Sequence, residues 1–190
     1  RTIHGVQPEA QVGLAHNLRF FAAARPGRRT DRAAARIQAP WFNQTTLAAV
    51  GGTPPVARRI LPSGFRPAWW LPPLGFGPAF AMRKTLDWVG LNYYTRDRVT
   101  FDRNAASTAY GVQSHTEGAE AMDGGYGELY PEGIVRGIRR LSRLGLPIHI
   151  TENGIPDGDD DQRPRALVLH LHQLWRAIQD NYPVMSYYHW

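Results

Sequence analysis

The sequence predicts an α/β fold in which parallel strands alternate with helices. Four short apolar runs, rich in aromatic residues and flanked by Gly or Pro, have the length and composition of strands; they cover 12–20, 86–94, 146–150 and 183–190. The segments between them show helical periodicity. Strands that alternate with helices in this way are typical of parallel βαβ units.

The first predicted helix covers 31–52. Asp31 stands at its start and a Gly pair at 51–52 marks its end. Pro40 lies inside it, and because proline has no backbone N–H to donate, we expect it to kink or divide the helix.

Two further helices are expected later in the chain. Segment 131–145 opens on Pro131, ends on Gly145 and carries an apolar stripe of Ile134, Val135, Ile138, Leu141 and Leu144. Segment 163–180 has apolar residues that should share one face, with His170 and Trp175 beside it: Leu167, Leu171, Leu174 and Ile178.

Two long loops interrupt the pattern, at about 51–83 and 101–130, and we expect one domain over 1–190. The first loop should be ordered and packed because it contains many aromatic side chains: Phe65, Trp69, Trp70, Phe76 and Phe80.

Composition excludes several classes of protein. The chain has no cysteine, which excludes disulfides, thiolate metal sites and cysteine nucleophiles. No apolar run is long enough to span a membrane. The opening "RTIHGVQPEA" has no apolar core of a secretory signal, so we expect a cytoplasmic protein with no membrane partner. It also has no initiating Met, and it resembles a cut in a longer chain rather than a natural start.

The chain is basic, with a formal net charge of +6, and Lys84 is its single lysine. The arginines are spread along the sequence rather than gathered in one tract. A basic balance without a recognisable motif is weak evidence for nucleic-acid binding, so we expect no nucleic-acid partner.

A carboxylate follows the third apolar run. Counting back from Glu152 by twos gives Ile150 and Ile148, so an apolar strand face is expected to end on this glutamate. A strand end that simply reaches solvent is one interpretation, and a catalytic carboxylate is the other.

The other predicted strands also carry polar or aromatic groups at their carboxyl ends. Counting by twos along the second strand puts Asn92 and Tyr94 on one face. The same count along the last strand puts on one face Trp190, Tyr188, Ser186 and Val184. The first strand should end in His16 and Asn17. In parallel α/β folds ligands bind at the carboxyl ends of the strands. The pattern therefore predicts a pocket at that edge.

These residues resemble the family 1 glycoside hydrolases, the retaining β-glucosidase and β-galactosidase family. "ITENG" (150–154) is similar to the family's nucleophile motif, "GLNYYTR" (90–96) to its sixth strand and "PVMSYYHW" (183–190) to its eighth. "YPEGI", the helix "RPRALVLHLHQLWRAIQD" and an earlier "FN" agree in order and spacing.

The resemblance implies a (β/α)8 TIM barrel, of which this chain covers strands five to eight. It implies that Glu152 is the nucleophile of a retaining β-glycosidase and forms a glycosyl-enzyme ester. Tyr94 would then hydrogen-bond the carboxylate, Asn92 would line the same subsite and Trp190 would form the floor under the sugar. Asn17 would face the leaving group. No cofactor is expected.

Parts of the family pattern are missing. The family's acid/base glutamate lies in an Asn-Glu-Pro motif, which this sequence lacks, so the implied partner is an N-terminal half-barrel. Ser186 replaces the usual Gly, and the Trp that commonly precedes "YPEG" is replaced around Tyr126. None of the remaining glutamates is assigned as a substitute acid: Glu117, Glu120, Glu128 and Glu132.

Two alternatives stay open beside the hydrolase: a non-catalytic remnant that binds sugars or a subunit, and a basic interaction module. No metal site is expected. His170 and His172 are two residues apart in a predicted helix and fall on different faces, and for these two and His149 a solvated or core histidine is the preferred interpretation. "DGDDDQ" (157–162) resembles a calcium loop in composition only, and a solvated loop that caps a helix is the preferred interpretation.

Overall fold

A computed structural model describes residues 2–51, 86–108, 110–116 and 118–190. Almost all of the predicted loop at 51–83, with its aromatic residues, lies outside these ranges. None of the helices within them is long and apolar enough to cross a membrane.

The described chain contains six strands and four α-helices. The strands are β1 (Gly13–Ala23), β2 (Trp88–Phe101), β3 (Gly111–Ser114), β4 (Glu128–Leu129), β5 (Ile148–Asn153) and β6 (Val184–His189). The helices are α1 (Thr2–Val6), α2 (Arg29–Gly51), α3 (Glu132–Leu141) and α4 (Arg163–Gln179).

Four strands form a parallel sheet in the order β1-β2-β5-β6. The helices α2, α3 and α4 connect them in turn. This confirms the predicted α/β fold, and it is the arrangement expected for part of a (β/α)8 barrel. β3 and β4 lie within the predicted loop at 101–130 and pair antiparallel with the far end of β2.

The core lies between the sheet and the helices α3 and α4. One sheet face contributes fully buried side chains from three strands: Leu18, Val89, Leu91, Tyr93, Ile148 and Ile150. The opposing layer comes from α3, through Ile134, Ile138 and Leu141. Each such side chain contributes about 1.5–3 kcal/mol by leaving water. The predicted stripe of α3 is therefore the stripe that packs, and Gly145 ends the segment in the left-handed conformation, with φ of 71°.

The apolar face predicted for α4 packs only in part. Leu174 is buried, but Leu171 and Ile178, which should share its face, are 42% and 48% exposed. Trp175, predicted beside that face, is 56% exposed. The helix face that packs on the sheet consists of Ala166, His170, Leu174 and Ala177. The two alanines are small and let the helix approach the sheet closely. His170 is tolerated there because its Nδ1 hydrogen-bonds the carbonyl of Ala166 at 2.8 Å.

Pro40 does not divide α2, which is one helix from Arg29 to Gly51. A proline removes one hydrogen bond of the helical ladder, and the turns on either side keep theirs. Asp31, fully buried in the first turn, fixes this helix to the sheet by accepting hydrogen bonds from the Arg25 guanidinium and the Phe101 backbone N–H.

Candidate active site at the carboxyl edge of the sheet

Glu152 lies on the opposite face of the sheet from the isoleucines that precede it. Ile150 pairs with Leu91 in the core, whereas Glu152 pairs with Asn92, the next residue along β2. The register therefore shifts by one residue at Thr151, and such a shift exchanges the faces of a strand. The expectation that an apolar face ends on this carboxylate is wrong, because the irregularity turns Glu152 away from the core.

The strand parities predicted for β6 and β1 also need correction. Val184 packs against the helix-side core, whereas Ser186 pairs with His149 on the other face after a second register shift. In β1, His16 is buried on the helix side, where its Nε2 lies 3.1 Å from the Asn43 carbonyl. Asn17 is exposed, and both residues lie inside β1 rather than at its end.

Tyr94 links two other predicted site residues, Glu152 and Trp190, through its hydroxyl group. The Tyr94 hydroxyl donates to the carboxylate of Glu152. The indole N–H of Trp190 donates to the same hydroxyl oxygen at 3.0 Å. Burial and the hydrogen bond to Glu152 raise the pKa of Tyr94 above its usual value, so the phenol stays protonated and remains a donor to the carboxylate.

Two aromatic rings extend from Tyr94. Trp190 and Tyr126 both meet it edge-to-face, with ring centroids 6.0 and 5.7 Å away. Trp190 is 72% exposed, so a broad apolar ring lies open beside the carboxylate. The Arg19 guanidinium lies over the Tyr126 ring at 5.7 Å and donates to the Tyr126 carbonyl at 3.2 Å. Sequence reasoning noted Tyr126 as a substitution but assigned it no place in the pocket.

A row of polar residues crosses three strands. Asn17 pairs with Asn92, and Asn92 pairs with Glu152. The oxygen of the Asn92 side chain accepts a hydrogen bond from the Thr151 hydroxyl at 2.5 Å, and its amide N–H groups have no hydrogen-bond partner among the described residues. At the usual strand spacing of about 4.8 Å, Asn17 lies roughly 10 Å from Glu152 and does not join the contact group.

Asn153 holds the end of β5, and sequence reasoning missed it. It is fully buried, donates to the Tyr93 carbonyl at 2.8 Å and accepts from the Tyr187 hydroxyl at 2.8 Å. Its own carbonyl accepts the backbone N–H of Trp190 at 3.1 Å. The sequence signal for Asn153 was its position directly after Glu152 in the motif. A buried amide needs partners for several hydrogen-bonding groups, and here those partners fix the end of β5.

Gly154 allows the end of β6 to approach that of β5. A Cβ at this position would lie 2.1 Å from the carbonyl oxygen of Trp190. Only a residue without a side chain fits there, so Gly154 positions the Trp190 backbone next to Glu152.

The other described glutamates lie outside the contact group of Glu152. Glu128 is fully buried and pairs with Arg96 at 2.7 Å. Glu120 pairs with Arg165, and Glu132 lies in the first turn of α3. The remaining glutamate that the sequence left unassigned, at 117, lies outside the described residues.

The histidines have local partners as well. His149 hydrogen-bonds the Ser186 hydroxyl at 2.7 Å on the pocket face of the sheet. His172 stacks on Trp175 at the exposed side of α4, with ring centroids 5.8 Å apart.

The whole chain, residues 1–190, matches the family model described as Glycosyl hydrolase family 1. Curated relatives include a β-galactosidase of Sulfolobus acidocaldarius, 38% identical over 117 residues that cover 57% of this chain and 24% of the relative. A 1,4-β-D-glucan glucohydrolase of Thermotoga neapolitana is 33% identical over 120 residues, which cover 57% of this chain and 27% of the relative.

Solved structures agree over the full chain. A family 1 β-glucosidase from Thermotoga maritima superposes with a TM-score of 0.77 and 25% identity, covering 100% of this chain and 43% of that one. A β-glycosidase from Pyrococcus horikoshii gives a TM-score of 0.72 and 25% identity, covering 99% and 40%. The match therefore spans about a quarter of the length of these curated relatives and about two fifths of the solved chains.

Proposed function

The chain belongs to glycosyl hydrolase family 1, and on this premise we propose that it serves as the nucleophile-bearing part of a retaining β-glycosidase of the β-glucosidase type. The observation that carries the proposal is the contact between Glu152, Tyr94 and Trp190 at the carboxyl edge of the parallel sheet. It combines a carboxylate, a protonated donor and an open aromatic ring, the groups that a retaining glycosidase needs on one side of the sugar.

In the proposed reaction a carboxylate oxygen of Glu152 attacks the anomeric carbon. The bond from that carbon to the leaving-group oxygen breaks, and a proton from a general acid about 5–5.5 Å away neutralises that oxygen. Water then attacks the glycosyl ester, gives up its proton to the same group and releases the sugar and the free Glu152 carboxylate.

Each neighbouring residue has a proposed part. Tyr94 holds the carboxylate in place through its hydroxyl hydrogen bond. Trp190 offers its exposed indole to the apolar C–H face of the sugar. Asn92 presents amide N–H groups to sugar hydroxyls. Asn17, two strands away, contacts the leaving-group side.

We propose that the general acid comes from another half-barrel and that this chain corresponds to the C-terminal half of the enzyme. The sequence has no Asn-Glu-Pro motif, and the match covers about two fifths of the solved chains. α4 also exposes an apolar stripe of Val168, Leu171, Trp175 and Ile178, and such stripes are typical of interaction surfaces.

The test is covalent labelling with an activated 2-deoxy-2-fluoro-β-glucoside, read by intact mass and peptide mapping. Its leaving group departs without a general acid, so the experiment isolates the nucleophile and does not need the missing half. We expect one glycosyl adduct on the peptide that contains Glu152.

The matched controls are two glutamine variants. Glu152→Gln should abolish the adduct, whereas Glu132→Gln, which changes an exposed glutamate on α3, should label like the wild type. A folded chain that gives no adduct, or an adduct on another residue, contradicts Glu152 as nucleophile. It would favour the non-catalytic sugar-binding or subunit-interaction role instead.

A second experiment tests the half-barrel partner. Mixing the chain with a polypeptide that carries the N-terminal half of a family 1 barrel should give a stable complex and turnover of an aryl β-glucoside. Replacing the Asn-Glu-Pro glutamate of that polypeptide with Gln should remove the turnover but keep the complex. Failure of a soluble mixture to associate would contradict the partner and leave the labelling result unaffected.

A further inference from the structure

Two loops meet beside the pocket and bring three aspartates together. Asp123 lies in the loop before β4, and Asp157 and Asp159 lie in the loop between β5 and α4. The Gly158 backbone N–H donates to Asp123 Oδ2 at 2.7 Å, and the Asp123 N–H donates to the Pro156 carbonyl at 3.3 Å. One carboxylate oxygen from each aspartate lies within 4.8 Å of the other two.

Asp157 has a buried oxygen without a partner. Its Oδ2 accepts the backbone N–H groups of Gln162 at 3.0 Å and Arg163 at 2.7 Å, and so caps the start of α4. Its Oδ1 is buried and has no hydrogen-bond partner among the described residues, while the whole residue is only 9% exposed. A buried carboxylate oxygen without a hydrogen-bond partner is unfavourable, because it has lost its water and gained nothing in return. A ligand bound between the aspartates would satisfy it.

The nearby arginines form ion pairs with other carboxylates. Arg163 pairs with Asp160, and Arg165 pairs with Glu120. The Arg163 guanidinium also donates to the Asp157 backbone carbonyl at 3.0 Å, so one positive charge lies near the cluster. Within the part of the chain that the structure describes, however, no arginine forms an ion pair with Asp123, Asp157 or Asp159. One shared arginine offsets three carboxylates only in part, so the group that satisfies the buried oxygen should be a cation.

We propose that Asp123, Asp157 and Asp159 form a Ca²⁺ site. Calcium takes six to eight oxygen ligands at about 2.3–2.6 Å in flexible geometry, so three carboxylate oxygens within 4.8 Å of one another can share one ion. Magnesium demands near-octahedral geometry, keeps several waters and is usually held by one or two carboxylates, so three carboxylates on two loops favour calcium. Waters and loop carbonyls would complete the shell. This proposal does not depend on the hydrolase activity.

The site would connect two walls of the pocket. Tyr126, which packs on Tyr94, follows Asp123 by three residues in the same loop. Glu152 precedes Asp157 by five residues. A cation held between the loops would fix both segments relative to each other, and we expect it to raise the melting temperature of the chain.

The test is a calorimetric titration of the chelator-treated chain with CaCl2 at constant ionic strength. We expect saturable binding of one ion with a Kd of about 10⁻⁴–10⁻³ M, the range of exposed extracellular calcium modules. Asp159→Asn should weaken it at least tenfold. Asp160→Asn is the matched control, because it removes the same charge one residue away from a side chain paired with Arg163; it should bind like the wild type.

Asp123→Asn, on the other loop, provides an independent variant and should weaken binding as much as Asp159→Asn. Far-UV circular dichroism without calcium checks that each variant is folded. The proposal is overturned if the folded wild type shows no saturable binding up to 10 mM CaCl2 (a ceiling about tenfold above the expected range). It is also overturned if Asp160→Asn weakens binding as much as Asp159→Asn, since that indicates a diffuse charge effect.

Discussion

The two faces of the parallel sheet differ in what covers them. On the helix side, Val89, Leu91, Ile148 and Ile150 are all fully buried under α3 and α4. On the pocket side, Asn17 is exposed, and Tyr188 and Trp190 are 60% and 72% exposed. The same four strands carry a finished core on one face and an open polar and aromatic surface on the other.

The difference separates folding from function within one sheet. The helix-side core follows from apolar burial and can be completed by this chain alone. The pocket face has Glu152, Tyr94 and Trp190 in contact, but it has no opposing layer among the described residues. Stability should therefore respond to substitutions on one face, and labelling chemistry to substitutions on the other.

The largest expected effect is on the helix-side face. Ile150→Ala removes a fully buried side chain that packs among the residues of α3, and should lower the free energy of unfolding by about 2–5 kcal/mol through lost burial and the cavity left behind. Urea denaturation followed by circular dichroism measures this change.

Tyr188→Ala is the control on the pocket face. Its side chain is 60% exposed, so the loss should stay below about 1 kcal/mol. Equal losses for the two variants would show that the pocket face is as well packed as the core. That outcome would contradict the proposed difference between the two faces of the sheet.

Gly154→Ala should have the next largest effect. The new Cβ would lie 2.1 Å from the Trp190 carbonyl oxygen, so the end of β6 must move away from β5. We expect a loss of about 1–3 kcal/mol in stability and, because Trp190 moves, loss of most labelling by the fluoroglucoside. Gly145→Ala, at a left-handed helix end remote from the pocket, should lower stability but leave the labelling of the folded fraction intact.

Much of this arrangement could be predicted from the sequence. The strand and helix order follows from hydrophobic periodicity, and the stripe of α3 was predicted residue by residue because the packed face is large and strongly apolar. The face of α4 was not, because the residues that pack there are Ala166, Ala177 and a histidine, which periodicity of large apolar residues does not detect.

The site could be predicted in composition but not in geometry. Counting by twos along β5 places Glu152 with the isoleucines, and only the register shift at Thr151 moves it to the face of Tyr94. Such irregularities depend on the neighbouring strand and leave no local signal. The aspartate cluster could not be predicted either, because Asp123 is distant in sequence from the "DGDDDQ" segment that it joins.

Tyr94→Phe tests the pocket face with a smaller change. It removes the hydroxyl that donates to Glu152 and accepts from Trp190, while the ring and its edge-to-face contacts remain. A hydrogen bond to a charged group contributes about 1.5–3 kcal/mol, so the labelling rate should fall roughly ten- to hundredfold. Tyr126→Phe, the same change on the adjoining ring, should alter the rate less than about threefold. Similar rates for wild type and Tyr94→Phe would show that the hydroxyl does not position the nucleophile.

The smallest expected effect concerns the helix side and depends on pH. Arg25 and the Phe101 backbone N–H hold the pKa of Asp31 down to about 2, below its usual value. A depressed carboxyl pKa stabilises the fold above the unfolded-state value of about 4 and loses that contribution as pH falls toward the folded value. The stability difference between wild type and Asp31→Asn should therefore be largest at pH 5 and shrink as the pH falls from about 4 to 2. Asp31 is remote from Glu152, so labelling of folded Asp31→Asn at pH 5 should match the wild type. A loss of labelling that accompanies the loss of stability would contradict this, because it would show that the helix side and the pocket side of the sheet depend on each other.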